Sequence, residues 1–68
     1  MKLTITLNGD RLEVVGPLTV TDLLTRLEIE PQRVAVEHNL TVVKRTAYGE
    51  TMVREGDEVE IVNFVGGG

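Results

Sequence analysis

The chain has 68 residues and no cysteine, so it makes one domain near the lower size limit for folding on a core alone, with no disulfide or thiolate metal site. Its eleven acidic and seven scattered basic residues give a net charge of −4, and with only Phe64 and Tyr48 as aromatics this argues against a nucleic-acid surface, which needs clustered positive charge. No stretch approaches the ~20 apolar residues of a membrane span and no signal-peptide pattern opens the chain, so a soluble, cytoplasmic protein is expected.

Leu3, Ile5 and Leu7 alternate with Lys2, Thr4 and Thr6, the period of a half-buried strand. Asn8-Gly9-Asp10 is a tight-turn signal, and Leu12 and Val14 alternate with Arg11 and Glu13 beyond it, which predicts a hairpin ended by Gly16-Pro17. The period then changes: Val20, Leu23, Leu24 and Leu27 fall on one face of a helix. Thr19 and Asp22 form a capping-box pattern, Leu18 is placed to staple onto Leu23, and Pro31 is expected to stop the helix or its following loop. Arg33-Val34-Ala35-Val36-Glu37 reads as a buried strand and His38-Asn39 as a turn, followed by a short strand through Val42 and Val43. Thr46 to Thr51 reads as a loop, and Glu55-Gly56-Asp57 as a turn that launches a last strand from Glu58 to Val65.

The order β-β-α-β-β-β predicts an α+β fold: a mixed sheet of about five strands with one helix packed across one face, the ubiquitin-like β-grasp architecture. The strand after the helix is expected to return beside the first strand. The expected core is Leu3, Ile5, Leu7, Val20, Leu23, Leu24, Leu27, Val34, Val36, Val59 and Ile61. Residues 1–65 form the domain, and 66–68 are a flexible glycine tail.

The reactive groups are few. There is no Cys and no Ser, His38 is the only histidine, and no threonine stands at the N-terminus. A Ser-His or Cys-His nucleophilic site is therefore absent, and the chain is not expected to be an enzyme by itself. Glu37 and His38 face opposite sides of a strand and make no chelate, so no metal site is expected and His38 reads as a solvated turn residue. The chain ends in Gly66-Gly67-Gly68 directly after the best apolar run. Glycine suits a backbone entering a narrow slot, and a terminal glycine offers its carboxylate with little hindrance, so Gly68 is the candidate reacting group. An inert end is the plainer alternative.

Val34-Ala35-Val36-Glu37-His38-Asn39, Val43-Lys44-Arg45, Glu55-Gly56-Asp57-Glu58-Val59-Glu60-Ile61-Val62 and Val65-Gly66-Gly67-Gly68 together resemble the sulfur carrier protein ThiS family along the whole chain. The resemblance implies a role in thiazole formation during thiamine biosynthesis. It implies that Gly68 is adenylated and converted to a thiocarboxylate, with Gly66 and Gly67 as the tail. It implies no bound cofactor, ATP used by a ThiF-like (E1-like) adenylyltransferase, a ThiG-like thiazole synthase as acceptor, and a sulfur donor such as a cysteine desulfurase. A molybdopterin synthase small subunit, a ubiquitin-like protein modifier and a plain β-grasp binding module remain as rival readings.

Alternation along the last strand assigns Val59 and Ile61 to the core and turns Glu60, Val62 and Phe64 outward. Val62, Phe64 and Val65 are the candidate partner-docking residues, with Phe64 either docking or capping the core. Glu55, Asp57, Glu58 and Glu60 form an acidic run that meets a basic groove on an activating enzyme or is simply solvated, and Lys44 and Arg45 carry the same ambiguity.

Overall fold

The computed structural model describes residues 1–63. Seven strands, one helix and two short 3-10 turns form in this segment. Strands β1 (Lys2–Leu7) and β2 (Asp10–Val15) pair antiparallel in the expected register, Leu7 opposite Asp10, across a two-residue loop. That loop needs positive φ at both positions, and Asn8 (49°) and Gly9 (86°) supply it. Strands β4 (Val34–His38), β5 (Thr41–Val43) and β7 (Glu58–Asn63) complete one mixed sheet in the order β2-β1-β7-β4-β5.

The neighbour of β1 is therefore β7, running parallel, and not the strand that follows the helix. β4 instead pairs antiparallel with β7 over five residues, from Val34 opposite Asn63 to His38 opposite Val59. Edge character explains the difference from expectation. β2 carries Asp10, Arg11 and Glu13, and β5 is three residues long. Charge and shortness are the properties that keep exposed sheet edges from pairing with other chains. β7, with Val59 buried in the core, takes the centre.

Helix α1 (Val20–Arg26) opens with the capping box: the Asp22 N–H donates to Thr19 Oγ1 at 3.1 Å and the Thr19 N–H to Asp22 Oδ2 at 2.9 Å. It ends before Pro31 comes into play. The Ile29 N–H reaches the Leu24 carbonyl at 2.9 Å and the Glu28 N–H reaches Thr25 at 3.1 Å, with Glu28 at φ 59°. This is a Schellman closure with glutamate where glycine is usual. Pro31 instead begins a 3-10 turn, Pro31–Arg33.

Leu3, Ile5, Val34, Val36 and Val59 from the sheet meet Val20, Leu23 and Leu24 from the helix in one buried cluster, while Leu7, Leu27 and Ile61 pack half-buried at its border. Leu18, Tyr48 and Val53 also belong to the core. They arrive through two strands too short to show a period, β3 (Leu18–Thr19) and β6 (Met52–Val53), which pair with each other, and through a 3-10 turn at Arg45–Ala47. The Tyr48 hydroxyl donates to the Val34 carbonyl at 3.2 Å, which satisfies its buried polar end. Among the described residues no helix is long and apolar enough to cross a membrane.

Leu24 is fully buried, so Leu24→Ala removes its contacts and leaves a cavity. Urea unfolding is expected to show a loss of about 2–5 kcal/mol.

Candidate functional site: the last strand and its anchors

β7 is secured by polar side chains where main-chain pairing runs out. Its parallel ladder with β1 covers only Thr6 opposite Glu58 and Leu7 opposite Val59. Beyond that point the Asn8 side chain takes the place of a strand. Asn8 Oδ1 accepts from the Ile61 N–H at 2.7 Å, and Asn8 Nδ2 donates to the Ile61 carbonyl at 3.2 Å. The Asn8 N–H donates to the Val59 carbonyl at 2.9 Å. The left-handed backbone at Asn8, fixed by the hairpin turn, brings that side chain to the β7 edge.

The start of β7 is held at Asp57, the one buried charged residue described. Its Oδ2 accepts from His38 Nε2 at 2.6 Å and from the Arg54 N–H at 2.7 Å, and its Oδ1 accepts from Asn39 Nδ2 at 3.2 Å. Gly56, at φ 83°, turns the chain so that this carboxylate faces inward. Asn39, also left-handed at φ 52°, uses its Oδ1 to accept from the Glu58 N–H at 2.9 Å. Glu55 Oε1 accepts from the Thr4 N–H at 2.9 Å, tying the same turn to β1. Burial pushes the Asp57 carboxyl up, but the hydrogen bonds from His38, the Arg54 N–H and Asn39, together with the His38 charge, hold it below its ordinary value of 3.8.

Two expectations are corrected here. His38 is not a solvated turn residue: it ends β4 with its side chain 21% exposed and bound to Asp57. Asp57 is not part of an acidic surface run; it is an internal acceptor for three donors. The signal for the pairing was present only as two polar residues nineteen positions apart, which no local period reveals.

The outer face of β7 behaves as the alternation requires. Val59 is buried, Glu58 and Glu60 are exposed, and Val62 is 58% exposed. Val62 lies opposite Ala35 and Glu60 opposite Glu37, while Val42 on β5, 67% exposed, lies opposite Glu37. A small apolar surface of Ala35, Val42 and Val62 is thus bordered by two carboxylates placed directly across from each other. Opposed like charges disfavour the strand pair. The ion pairs among the described residues, Arg33–Glu30 and His38–Asp57, involve neither of them. Lys44 and Arg45 stand at the opposite border of β5, at the start of the second 3-10 turn. Phe64, Val65, Gly66, Gly67 and Gly68 lie outside the described residues, as does the expected domain boundary at 65. Among the described residues no cluster of His, Asp and Glu could hold a metal.

Comparison with known proteins agrees with this fold. Residues 5–68 match the ThiS family. A thiazole synthase of Paramagnetospirillum magneticum is 43% identical over 68 residues; the match takes in all of this chain and spans 20% of that protein's length. The sulfur carrier protein ThiS of Bacillus subtilis is 40% identical over 50 residues, covering 74% of this chain and 76% of its own. The crystal structure of the thiamine biosynthesis protein ThiS from Geobacter metallireducens superposes with a TM-score of 0.84 at 40% identity, covering 97% of this chain and 100% of its own. A designed protein based on ubiquitin, 23% identical with a TM-score of 0.55 over 98% of this chain and 95% of its own, shares the fold alone.

The Asp57 node gives a pH prediction. A depressed carboxyl contributes stability that is fully present above its ordinary value and is lost as pH falls through the depressed one. Asp57→Asn sets an amide N–H or a weaker acceptor against three donors, so it is expected to cost about 1–3 kcal/mol near neutral pH. It is also expected to flatten the acid limb of the stability profile, measured by urea unfolding across that range. An unchanged acid limb would exclude Asp57 as its source. By fold and sequence together, the chain belongs to the ThiS family.

Proposed function

We propose that this chain is a cytoplasmic carrier whose Gly68 carboxylate is the reacting group. The observation that carries the reading is the central strand β7, anchored at Asp57 and Asn8, whose last described residue, Asn63, stands five residues before Gly68. A rigid strand followed by glycines is a way to present a carboxylate at arm's length. Val65 to Gly68 can span roughly 13 Å at ~3.3 Å per residue, enough to enter a partner's site while the domain stays outside.

A carboxylate is a poor electrophile because its charge is delocalised and its oxygen leaves badly. Attack of a Gly68 carboxylate oxygen on the α-phosphorus of ATP, with loss of pyrophosphate, gives an acyl adenylate. The terminal sulfur of a persulfide then displaces AMP to give an acyl disulfide, and a thiol reduces that disulfide to a thiocarboxylate, which hands sulfur to the thiazole-forming step. The activating partner is a ThiF-like adenylyltransferase, with a cysteine desulfurase as the source of sulfur. A ThiG-like thiazole synthase is the acceptor, a reading supported by the matching segment inside a protein named thiazole synthase. The chain contributes no catalytic group and needs no cofactor of its own. Its lack of Cys and Ser leaves few internal nucleophiles to attack the activated end.

Docking falls to the outer face beside the tail: Val62, with Phe64 and Val65 following it in sequence. Adenylation is read by ATP–pyrophosphate exchange with the activating enzyme. Deleting Gly67-Gly68 is expected to abolish exchange and leave the melting temperature nearly unchanged. Val62→Asp is expected to raise KM for the carrier by about tenfold or more, as loss of a docking contact worth about 1.4 kcal/mol would. Exchange that survives the deletion would refute the carrier role, and a melting temperature that falls steeply would refute the free arm.

A further inference from the structure

We propose that Asn8 is a site of spontaneous deamidation, suppressed while β7 is docked and disruptive to that docking once it has occurred. Asn8 is followed by Gly9, and the absence of a side chain at Gly9 leaves its backbone nitrogen unusually free to attack a neighbouring amide. In the step concerned, the Gly9 nitrogen bonds to Asn8 Cγ, its proton is lost, and ammonia leaves with the former Nδ2. Water then opens the resulting succinimide, giving aspartate or isoaspartate. No reagent beyond water is required.

The folded chain opposes this attack. Both polar atoms of the Asn8 side chain are engaged by Ile61, the amide donating to its carbonyl at 3.2 Å and the oxygen accepting its N–H at 2.7 Å. The Asn8 N–H is held by Val59, and the two-residue loop fixes Asn8 and Gly9 at positive φ. The side chain cannot swing toward Gly9 without releasing Ile61. Reaction therefore follows local opening of the β1–β7 edge, whose ladder is only two residue pairs long.

The product cannot restore the edge. An ionised carboxylate still accepts from the Ile61 N–H, but its second oxygen then faces the Ile61 carbonyl with no proton between them. Isoaspartate adds a backbone atom to a two-residue turn and moves the side chain away altogether. Either product loosens the strand that leads to Asn63 and the glycines. Asn39 and Asn63 serve as internal references, because each precedes a bulky residue, Leu40 or Phe64.

The test ages the full chain at mildly alkaline pH, folded and in urea, and maps deamidation by peptide mass. Asn8 is expected to react far ahead of Asn39 and Asn63 in urea and to be slowed by about tenfold or more in the folded chain. The separated deamidated protein is expected to melt lower and to exchange its amide hydrogens faster from Val59 to Asn63. Equal rates at Asn8 in the two states would overturn the protection. A deamidated product, or an Asn8→Asp variant, with the parent's melting temperature and exchange pattern would overturn the disruption.

Discussion

The position of β7 between β1 and β4 is the constraint on which the rest of the molecule depends. A central strand must satisfy its main chain on two sides, and here neither neighbour does so completely. β4 covers one side over five residues, whereas β1 covers the other at two positions only. The gap is closed by side chains: Asn8 imitates a strand at Ile61, and Asn39 and Asp57 secure the approach through Glu58 and the Arg54 turn. Of these groups Asp57 is buried, and a buried polar group stabilises only when its partners are present. In the described residues no buried side-chain polar atom lacks a partner.

This arrangement separates the two ends of β7 in purpose. Its first residues are tied to three loops and one hydrophobic core, and its last described residues present an outer face of Val62 and Glu60 beside Ala35, Glu37 and Val42. Among the described residues, the one aromatic side chain in the core is Tyr48. Packing therefore relies on aliphatic shape, and the polar anchors supply the strand register. A carrier of the proposed kind needs this division: an end that enters another protein's site and a body that does not yield when it does.

The sequence was legible wherever a period extended over several residues. Alternation placed Leu3, Ile5, Val59 and Ile61 on one face, and helical spacing with Thr19 and Asp22 placed α1. It was silent where pairing is distant and short. Leu18 and Val53 meet across thirty-five positions in two-residue strands, so neither showed a pattern, and both are core. The strand order was misread because a rule about consecutive elements says nothing of a strand inserted later between them. Edge chemistry would have been the better guide: charged β2 and short β5 suit the rim. His38 was misread because polarity marks a turn equally well whether its side chain meets water or a buried carboxylate. The glycine-ended chain stood out by composition alone, whereas Asn8 looked like a turn residue and nothing more.

The most direct measurement is the intact mass of the untagged chain after incubation with ATP, its host's activating enzyme and a sulfur donor. A mass increased by the replacement of one oxygen by sulfur, and lost when Gly68 is deleted, is the result expected of a thiocarboxylate carrier. A chain that keeps its plain carboxylate, under conditions in which the same enzyme activates another ThiS protein, would contradict it.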